Sequence, residues 1–185
     1  MHVAQAPASR ARLAVPLVLG LALAAGIYAF GRHHTPDYST SLFGRSAQQT
    51  LPLKSWLATV ILGLALAQMG SAAWIYGRLP RLAKPRRLPA LHRLMGAAAL
   101  LVTLPVAYHC MLAYGVQTSS ARVAVHSLAG CFFYGAFAAK VTVVRSRRLP
   151  GWALPTAGGT LVMVVAALWY TSALWYYNGY TLPLL

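Results

Sequence analysis

Five long apolar stretches, separated by short polar segments, account for most of the chain. A helix that crosses a bilayer core about 30 Å thick needs roughly 20 apolar residues, and each stretch reaches that length. The polar segments between them are too short to form a soluble domain. The pattern therefore predicts an all-α fold, a single transmembrane helical domain over residues 1–185. Its five predicted transmembrane helices lie near residues 13–31, 56–77, 94–116, 123–144 and 155–177.

The basic residues are distributed unequally between the two predicted sides of the membrane. Four lie on one side: Arg32, Arg45, Lys54 and Arg122. The other side carries eleven: Arg10, Arg12, Arg78, Arg81, Lys84, Arg86, Arg87, Arg93, Arg145, Arg147 and Arg148. Because cytoplasmic loops carry an excess of Lys and Arg, this distribution predicts a protein of the plasma membrane with its N-terminus inside and its C-terminus outside.

Composition narrows the classes of function. The 185-residue chain is 58% hydrophobic and has a formal charge of +15, with Asp37 as its single acidic residue. Soluble domains carry about 25% charged residues, and nucleic-acid binders are not this hydrophobic along their whole length, so both classes are excluded. Anionic lipids are the expected partners of the basic loops. A single carboxylate also excludes paired-carboxylate catalysis and oxygen-rich Ca²⁺ or Mg²⁺ sites.

The first predicted helix has a second interpretation. Arg10 and Arg12 precede an Ala-rich apolar run, and basic residues before an apolar core are also typical of a secretory signal peptide. The run is longer than the usual signal core of about 7–15 residues, which favours a retained membrane anchor. Cleavage would leave four helices in the same orientation.

His109 and His126 fall within predicted helices, where ionisable residues are rare and usually functional. They are almost equidistant from the centre of the short connection between the third and fourth helices. In an antiparallel hairpin, residues placed in this way lie at the same depth, here in the outer half of the membrane. Two level histidines on neighbouring helices suit bis-histidine ligation of a haem b iron.

Arg122 and Gly130 lie one turn before and one turn after His126, so the three residues share a helix face. Gly130 lets a flat macrocycle approach the main chain, and Arg122 can pair with a haem propionate. These two residues are therefore predicted to help His109 and His126 bind the cofactor.

Two alternatives remain open for the two histidines. Their imidazoles could simply hydrogen-bond across a helix interface, as polar residues in membranes often do. A zinc or copper site would need further ligands, for which Cys110 and Cys131 are the candidates. Each cysteine directly follows a residue of the proposed haem faces and so points about 100° away from it, which makes a metal cluster the weaker alternative.

His92 is a further candidate for cofactor binding, at the inner edge of the third helix. The segment ALHRLMG at 90–96 repeats the pattern of AVHSLAG at 124–130, which suggests a second haem-binding helix end. Lys140 is its nearest candidate partner, although a lysine there also fits a side chain that extends to the inner interface. His92 is thus an interfacial residue, part of a quinone or haem-edge pocket, or the ligand of a second haem.

His33, His34 and Asp37 form a short polar group in the outer connection after the first helix. This H-H-x-x-D spacing could bind a divalent metal weakly. Adjacent histidines in a flexible segment lack the surrounding hydrogen bonds that orient metal ligands, however, so a solvated loop is the better interpretation.

Three short motifs carry a resemblance to known proteins: HRLMG at 92–96, YHC at 108–110 and HSLAG at 126–130. Over residues 88–148 the chain resembles the core of the membrane cytochrome b proteins, both the ferric-reductase-like and the cytochrome-b-five-six-one-like groups. Those families usually carry two haems held by four histidines, two on each side of the membrane. Here only the outer pair is complete. The whole chain also resembles small multi-span proteins of high-GC bacteria.

These observations together predict a haem b-binding membrane protein for one-electron transfer. The expected partner is a quinone or a redox protein, and any enzymatic activity would be that of an oxidoreductase subunit. The alternative from another class is a haem-free membrane anchor or assembly subunit for an extracytoplasmic redox protein. A small transporter is disfavoured because the membrane segments hold no carboxylate for proton coupling.

Overall fold

The computed structural model describes residues 10–79, 83–146 and 149–183. All the named elements in this part of the chain are helical, which confirms the predicted fold class. They are α1 (Arg10–His33), α2 (Ala47–Ile75), α3 (Leu88–Tyr114), α4 (Ala121–Arg145), α5 (Ala153–Trp169), a π-helical segment (Tyr170–Leu174) and a last turn, α6 (Trp175–Tyr177). Five helices are long and apolar enough to cross a membrane, the fifth running from α5 through α6.

Two helices begin earlier than hydropathy predicts. α2 starts at Ala47 rather than near residue 56, and α3 starts at Leu88 rather than near residue 94. In α2 the polar side chains of Thr50 and Ser55 bond back to the carbonyls of Ser46 and Leu51, at 2.8 and 3.0 Å. Polar residues of this kind interrupt an apolar window without interrupting a helix, because they find acceptors on their own backbone.

The helices pack in the order α1, α4, α5, α2, α3, each mainly against its neighbours in that series. The apolar core lies where α2, α4 and α5 meet, and it comprises Ile61, Ala65, Phe133, Leu161 and Val165. α3 and α4 follow each other in the chain, yet neither is the other's main packing partner. One direct link between them is the hydrogen bond from the Tyr134 hydroxyl to Thr103 Oγ1 at 3.1 Å.

α1 is an integral part of this bundle. A Cβ atom added at Gly20 would lie 2.7 Å from the carbonyl oxygen of Gly135 in α4, so the two backbones are in direct contact. At the other end of α1, the carbonyl of Gly31 accepts a hydrogen bond from Val116 N–H at 2.9 Å. Removal of α1 as a signal peptide would leave this face of α4 uncovered.

The bundle has two ends, which are named here by the chain termini. At the N-terminal end lie the start of α1 and the connections that join α2 to α3 and α4 to α5. At the C-terminal end lie the connections 34–46 and 115–120 and the last turn, α6.

The contact between Gly20 and Gly135 gives a direct test of the packing. In a Gly135→Ala variant the new methyl group would overlap the Gly20 carbonyl oxygen and the Ala24 side chain, so the two helices would have to move apart. We expect the free energy of unfolding in detergent to fall by about 1–3 kcal/mol, the usual cost of overpacking. Thermal unfolding followed by tryptophan fluorescence measures the change.

The matched control is Gly26→Ala in α1, where no described heavy atom lies within 4 Å of the added methyl group. Equal stability of the two variants would contradict the close contact between α1 and α4.

Candidate functional site

His109 lies near the C-terminal end of α3 and is 3% exposed. Its Nδ1 atom is buried and has no hydrogen-bond partner among the described residues. The ring of Tyr114 lies 5.8 Å from the imidazole, and the main chain of Thr40 approaches it from the connection 34–46. A buried polar atom without a partner costs about 1–3 kcal/mol, so this nitrogen is a natural place for a ligand atom.

His126, in α4, is oriented by α5 and the π-helical segment. Its Nδ1 lies 3.0 Å from the hydroxyl of Thr171, and that hydroxyl lies 2.8 Å from the carbonyl of Ala167. A carbonyl oxygen only accepts, so the single hydroxyl proton goes to Ala167 and the Thr171 oxygen accepts from Nδ1–H. This network assigns the proton of His126 to Nδ1 and leaves the lone pair on Nε2. Metal-ligating histidines are held in the same manner.

The π-helical segment explains why Thr171 can serve two partners. Trp175 N–H donates to the carbonyl of Ser172, so the Thr171 carbonyl remains available to another donor. Arg122 fills this place, with Nη1 donating to the Thr171 oxygen at 3.0 Å. Short π-helical interruptions of α-helices are frequently found at functional sites.

Arg122 also stacks on an aromatic ring. Its guanidinium carbon lies 3.8 Å from the centre of the Trp175 ring, a cation–π geometry. Both groups line an open cavity of about 360 Å³ at the C-terminal end, together with Ser120, Tyr180 and Thr181. The hydrogen bond to Thr171 uses one of five guanidinium N–H groups, and others remain for an anionic ligand.

A polar cluster at the C-terminal end, here called the C-terminal cluster, comprises His109, Arg122, His126, Thr171 and Lys54. The sequence did not indicate Lys54 as a member. Hydropathy placed it in a connection, whereas in the structure it lies within α2. Its ammonium group is 3.9 Å from Cys110 Sγ and 4.8 Å from the centre of the Tyr114 ring. It also lies within electrostatic range of both His109 and His126. One sequence feature could have indicated Lys54: it is a single lysine next to an apolar run, and no acidic residue lies nearby to pair with it.

Arg122, His126 and Gly130 share a face of α4, as predicted, and that face is directed toward α5. A Cβ at Gly130 would lie 4.0 Å from the Leu168 side chain, and no other described heavy atom is within that distance. The hydrogen bonds and ring contacts of His109 involve none of these three residues. Lys54 is the group that connects the two histidines electrostatically.

His92 lies apart from this cluster, near the N-terminal end of α3. Its Nδ1 is 2.8 Å from the Ser71 hydroxyl, and its carbonyl accepts a hydrogen bond from the Gln68 side chain. Lys140 is within electrostatic range of the ring. A Cβ at Gly96 would meet the Gln68 side chain at 3.2 Å. The space beside Gly96 is therefore filled by α2, which differs from the looser surroundings of Gly130.

The connection 34–46 forms an ordered cover over the end of α3. Nε2 of His34 and the main-chain N–H of Asp37 both donate to the carbonyl of Leu112, at 3.0 Å each. The Asp37 carboxylate accepts from the Ser39 hydroxyl at 2.5 Å, the Ser39 N–H at 3.0 Å and the Thr40 hydroxyl at 3.1 Å. No group of three His, Cys, Asp or Glu side chains able to hold a metal occurs within residues 10–79, 83–146 and 149–183.

Comparison with known proteins identifies a family but no activity. A protein-family model described as a family of unknown function (DUF6529) matches residues 13–184. No curated protein and no solved structure matches the chain. The matched family carries no cytochrome assignment, so the resemblance to membrane cytochromes b stays an interpretation of the motifs.

The hydrogen bonds of Asp37 predict an acid-sensitive cover. Donation by the Ser39 side chain, above all, holds the pKa of the exposed carboxyl below its ordinary value of 3.8. Because the pKa of Asp37 is lower in the folded than in the unfolded protein, its carboxylate stabilises the loop fully at pH values above the unfolded pKa. This stabilisation is lost as the pH falls through the folded pKa. We expect hydrogen-exchange protection at Ser39 and Thr40 to fall in that acidic range.

An Asp37→Asn variant should show the same loss of protection at pH 7, because a neutral amide is a weaker acceptor. Unchanged protection in that variant would show that the carboxylate does not hold the loop.

Proposed function

This chain belongs to the DUF6529 family, whose function is unknown, and we propose that it binds one haem b through His109 and His126 and transfers single electrons in a membrane. The observation that supports the proposal most directly is the state of the two imidazoles. Nδ1 of His109 is buried and has no partner within the described part of the chain, and the hydrogen bond to Thr171 leaves the His126 Nε2 lone pair available. Neutral imidazoles bind metals through either ring nitrogen.

The number of available donors suits a haem better than a bare metal ion. A structural zinc site takes four protein ligands and a catalytic one takes three. No such set occurs in the described part of the chain. A haem iron needs only two axial ligands from the protein, since the porphyrin supplies the rest.

The charges around the site also suit a haem. Its two propionates need cationic partners, and Lys54 and Arg122 both belong to the cluster. The one acidic residue of the chain, Asp37, is bound by Ser39 and Thr40 and so does not compete for these cations. Buried or half-buried cations that lack a protein carboxylate are natural sites for a ligand carboxylate.

The helix packing is compatible with a ligand held by one residue of α3 and one of α4, although the Arg122, His126 and Gly130 face of α4 is directed toward α5. α3 packs mainly on α2, whereas α4 packs on α1 and α5, so these consecutive helices are not pressed against each other. The Tyr134–Thr103 bond joins residues almost equidistant from the connecting loop, as His109 and His126 are. The register therefore favours similar depths for the two imidazoles.

A bound haem supplies an iron that accepts and releases one electron. The roles of the chain follow from its contacts. His109 and His126 would hold the haem iron, Thr171 would fix the orientation of His126, and Arg122 and Lys54 would neutralise the anionic groups of the cofactor. Loop 34–46 limits the access of water from the C-terminal end.

The proposal includes a membrane orientation and partners. The excess of basic residues at the N-terminal end favours a cytoplasmic position for it, in a plasma membrane with anionic lipids. The haem site would then lie near the outer face. A quinone or a redox protein would exchange electrons with it, as the resemblance to membrane cytochromes b implies.

A haem-free anchor or assembly subunit is the second candidate. The observation that favours it is that His126 and Arg122 already have partners on Thr171, which a purely structural cluster would also require. The colour of the purified protein separates the two functions. A Soret band that shifts on dithionite reduction supports haem binding, and a colourless preparation supports the anchor.

Substitution of either histidine tests the haem ligands. We expect His109→Ala and His126→Ala each to abolish stoichiometric haem binding, because each removes one of two axial ligands. The pyridine haemochrome assay on protein purified in mild detergent measures haem per chain. The control is His33→Ala, which removes an exposed imidazole at the end of α1. Haem retained at one per chain in both His109→Ala and His126→Ala would contradict the assignment.

Thr171→Val tests the orienting role of the hydroxyl. The isosteric change leaves His126 Nδ1–H without its acceptor, and loss of the hydrogen bond that orients a ligating histidine typically weakens metal binding about 10- to 100-fold. We expect weaker haem retention and altered g-values in the electron paramagnetic resonance spectrum, which reports ligand orientation.

Thr142→Val is the matched control, since the Thr142 hydroxyl donates to the Ala138 carbonyl of its own helix and has no other partner among the described residues. Identical spectra and retention in the wild type and Thr171→Val would show that Thr171 does not orient the ligand.

A further inference from the structure

A second polar cluster lies at the N-terminal end of the bundle, outside the proposed haem site. It comprises Gln68 and Ser71 of α2, His92 of α3 and Lys140 of α4. Gln68 and Ser71 are 9% and 8% exposed, and the other two are half-buried. Polar and ionisable side chains within membrane helices are costly and mark functional sites by default.

The hydrogen bonds of this cluster assign the proton of His92. The Ser71 hydroxyl lies 3.1 Å from the main-chain carbonyl of Gln68 and 2.8 Å from His92 Nδ1. The carbonyl only accepts, so the hydroxyl proton goes to Gln68 and the hydroxyl oxygen accepts from Nδ1–H. The Gln68 side chain donates to the His92 carbonyl and holds the same segment of α3. The ring is thus fixed with a lone pair on Nε2.

Lys140 complements this acceptor. Its ammonium group lies within electrostatic range of His92 and carries N–H donors but no acceptor. Asp37, the one carboxylate of the chain, belongs to the connection at the opposite end of the bundle. An acceptor nitrogen and a donor ammonium in the same region match a group that both donates and accepts, which is the property of a hydroxyl.

We propose that His92 and Lys140 bind a hydroxyl group of a membrane-soluble hydroquinone. The hydroxyl donates to His92 Nε2, and its oxygen accepts from Lys140 Nζ. Leu91 and Leu94, on either side of His92, are 50% and 66% exposed, which gives the site an apolar border open to the bilayer. A lipid phosphate fits less well, because an ionised phosphate oxygen has no proton to offer Nε2.

This assignment names the electron donor of the proposed function and rests on that function for the fate of the electrons. Oxidation of one hydroquinone to a quinone releases two protons and two electrons. The proton of the bound hydroxyl leaves to His92 Nε2, and that of the second hydroxyl leaves to solvent at the N-terminal end. A one-electron acceptor such as the haem b of the proposed function would take the two electrons one at a time and would be reoxidised between them. The oxidised quinone has no hydroxyl proton, so it loses the hydrogen bond to His92 and binds more weakly than the reduced form.

Direct binding tests the site without reference to activity. The full chain is reconstituted in phosphatidylcholine nanodiscs under anaerobic conditions and titrated calorimetrically with duroquinol and with duroquinone, and empty nanodiscs correct for partitioning. We expect the wild type to bind duroquinol about tenfold more tightly than duroquinone, the ratio expected for one good hydrogen bond. This pair is suitable because every ring carbon of duroquinone is substituted, so cysteine thiols do not add to it.

Three variants assign the binding to its residues. We expect His92→Ala and Lys140→Met each to weaken duroquinol binding about tenfold. Lys84→Met is the matched control and should leave binding unchanged, because Lys84 is an exposed lysine at the same end whose Nζ donates to the Ile75 carbonyl. Should His92→Ala fail to fold, Ser71→Ala removes the anchor of the ring and keeps the imidazole, and a weakening of about threefold is expected.

Several results would overturn the proposal. They are the absence of duroquinol binding above that of empty nanodiscs, equal affinity for duroquinone, or equal losses in the Lys84→Met control. Two haems per wild-type chain that fall to one in His92→Ala would also overturn it, because His92 would then ligate iron. The His126→Ala variant, which removes a proposed haem ligand, distinguishes failure of this site from failure of the proposed haem function. Duroquinol binding that persists in it supports the site even if the wild type holds no haem.

Discussion

The hydrogen bonds of Thr171 to His126 and Arg122 hold the C-terminal cluster together. Within a membrane there is no water to satisfy a polar side chain, and this chain offers no intramembrane carboxylate to pair with a cation. Main-chain carbonyls and hydroxyls must therefore serve as acceptors. The π-helical segment leaves the Thr171 carbonyl to Arg122, while the Thr171 hydroxyl accepts from His126. One residue thus fixes both a cation and an imidazole at the end of α4.

The two polar clusters follow the same design at opposite ends of the bundle. In each, a hydroxyl on a neighbouring helix donates to a carbonyl of its own helix and accepts from Nδ1 of a histidine, which leaves Nε2 available. His109 differs, because its buried Nδ1 has no partner among residues 10–79, 83–146 and 149–183. About 25 Å of helix separates His92 from His109, so α3 carries one residue of each cluster across most of the membrane.

Sequence reasoning found the residues whose type is unusual for their surroundings. Histidines in apolar helices stand out, and the spacing of Arg122, His126 and Gly130 placed them on one face, which the contacts with Thr171 and Leu168 confirm. It did not identify Thr171 or Lys54. A threonine in an apolar helix is common and usually bonds to its own backbone. The hydropathy pattern started the second helix near residue 56, which left Lys54 outside it. The π-helical segment within Tyr170–Leu174 has no sequence signature comparable to a proline or a glycine.

The sequence by itself determined five apolar helices and the order in which they cross a membrane. Length and hydropathy suffice for this, because a backbone in lipid must satisfy its hydrogen bonds internally and does so as a helix. Only the tertiary structure decided that α4 faces α1 and α5 while α3 faces α2, and that Arg122, His126 and Gly130 are directed toward α5. Side-chain partners depend on which helices meet and at what rotation. Those are set by close contacts such as that of Gly20 with Gly135, which small residues allow but hydropathy does not encode.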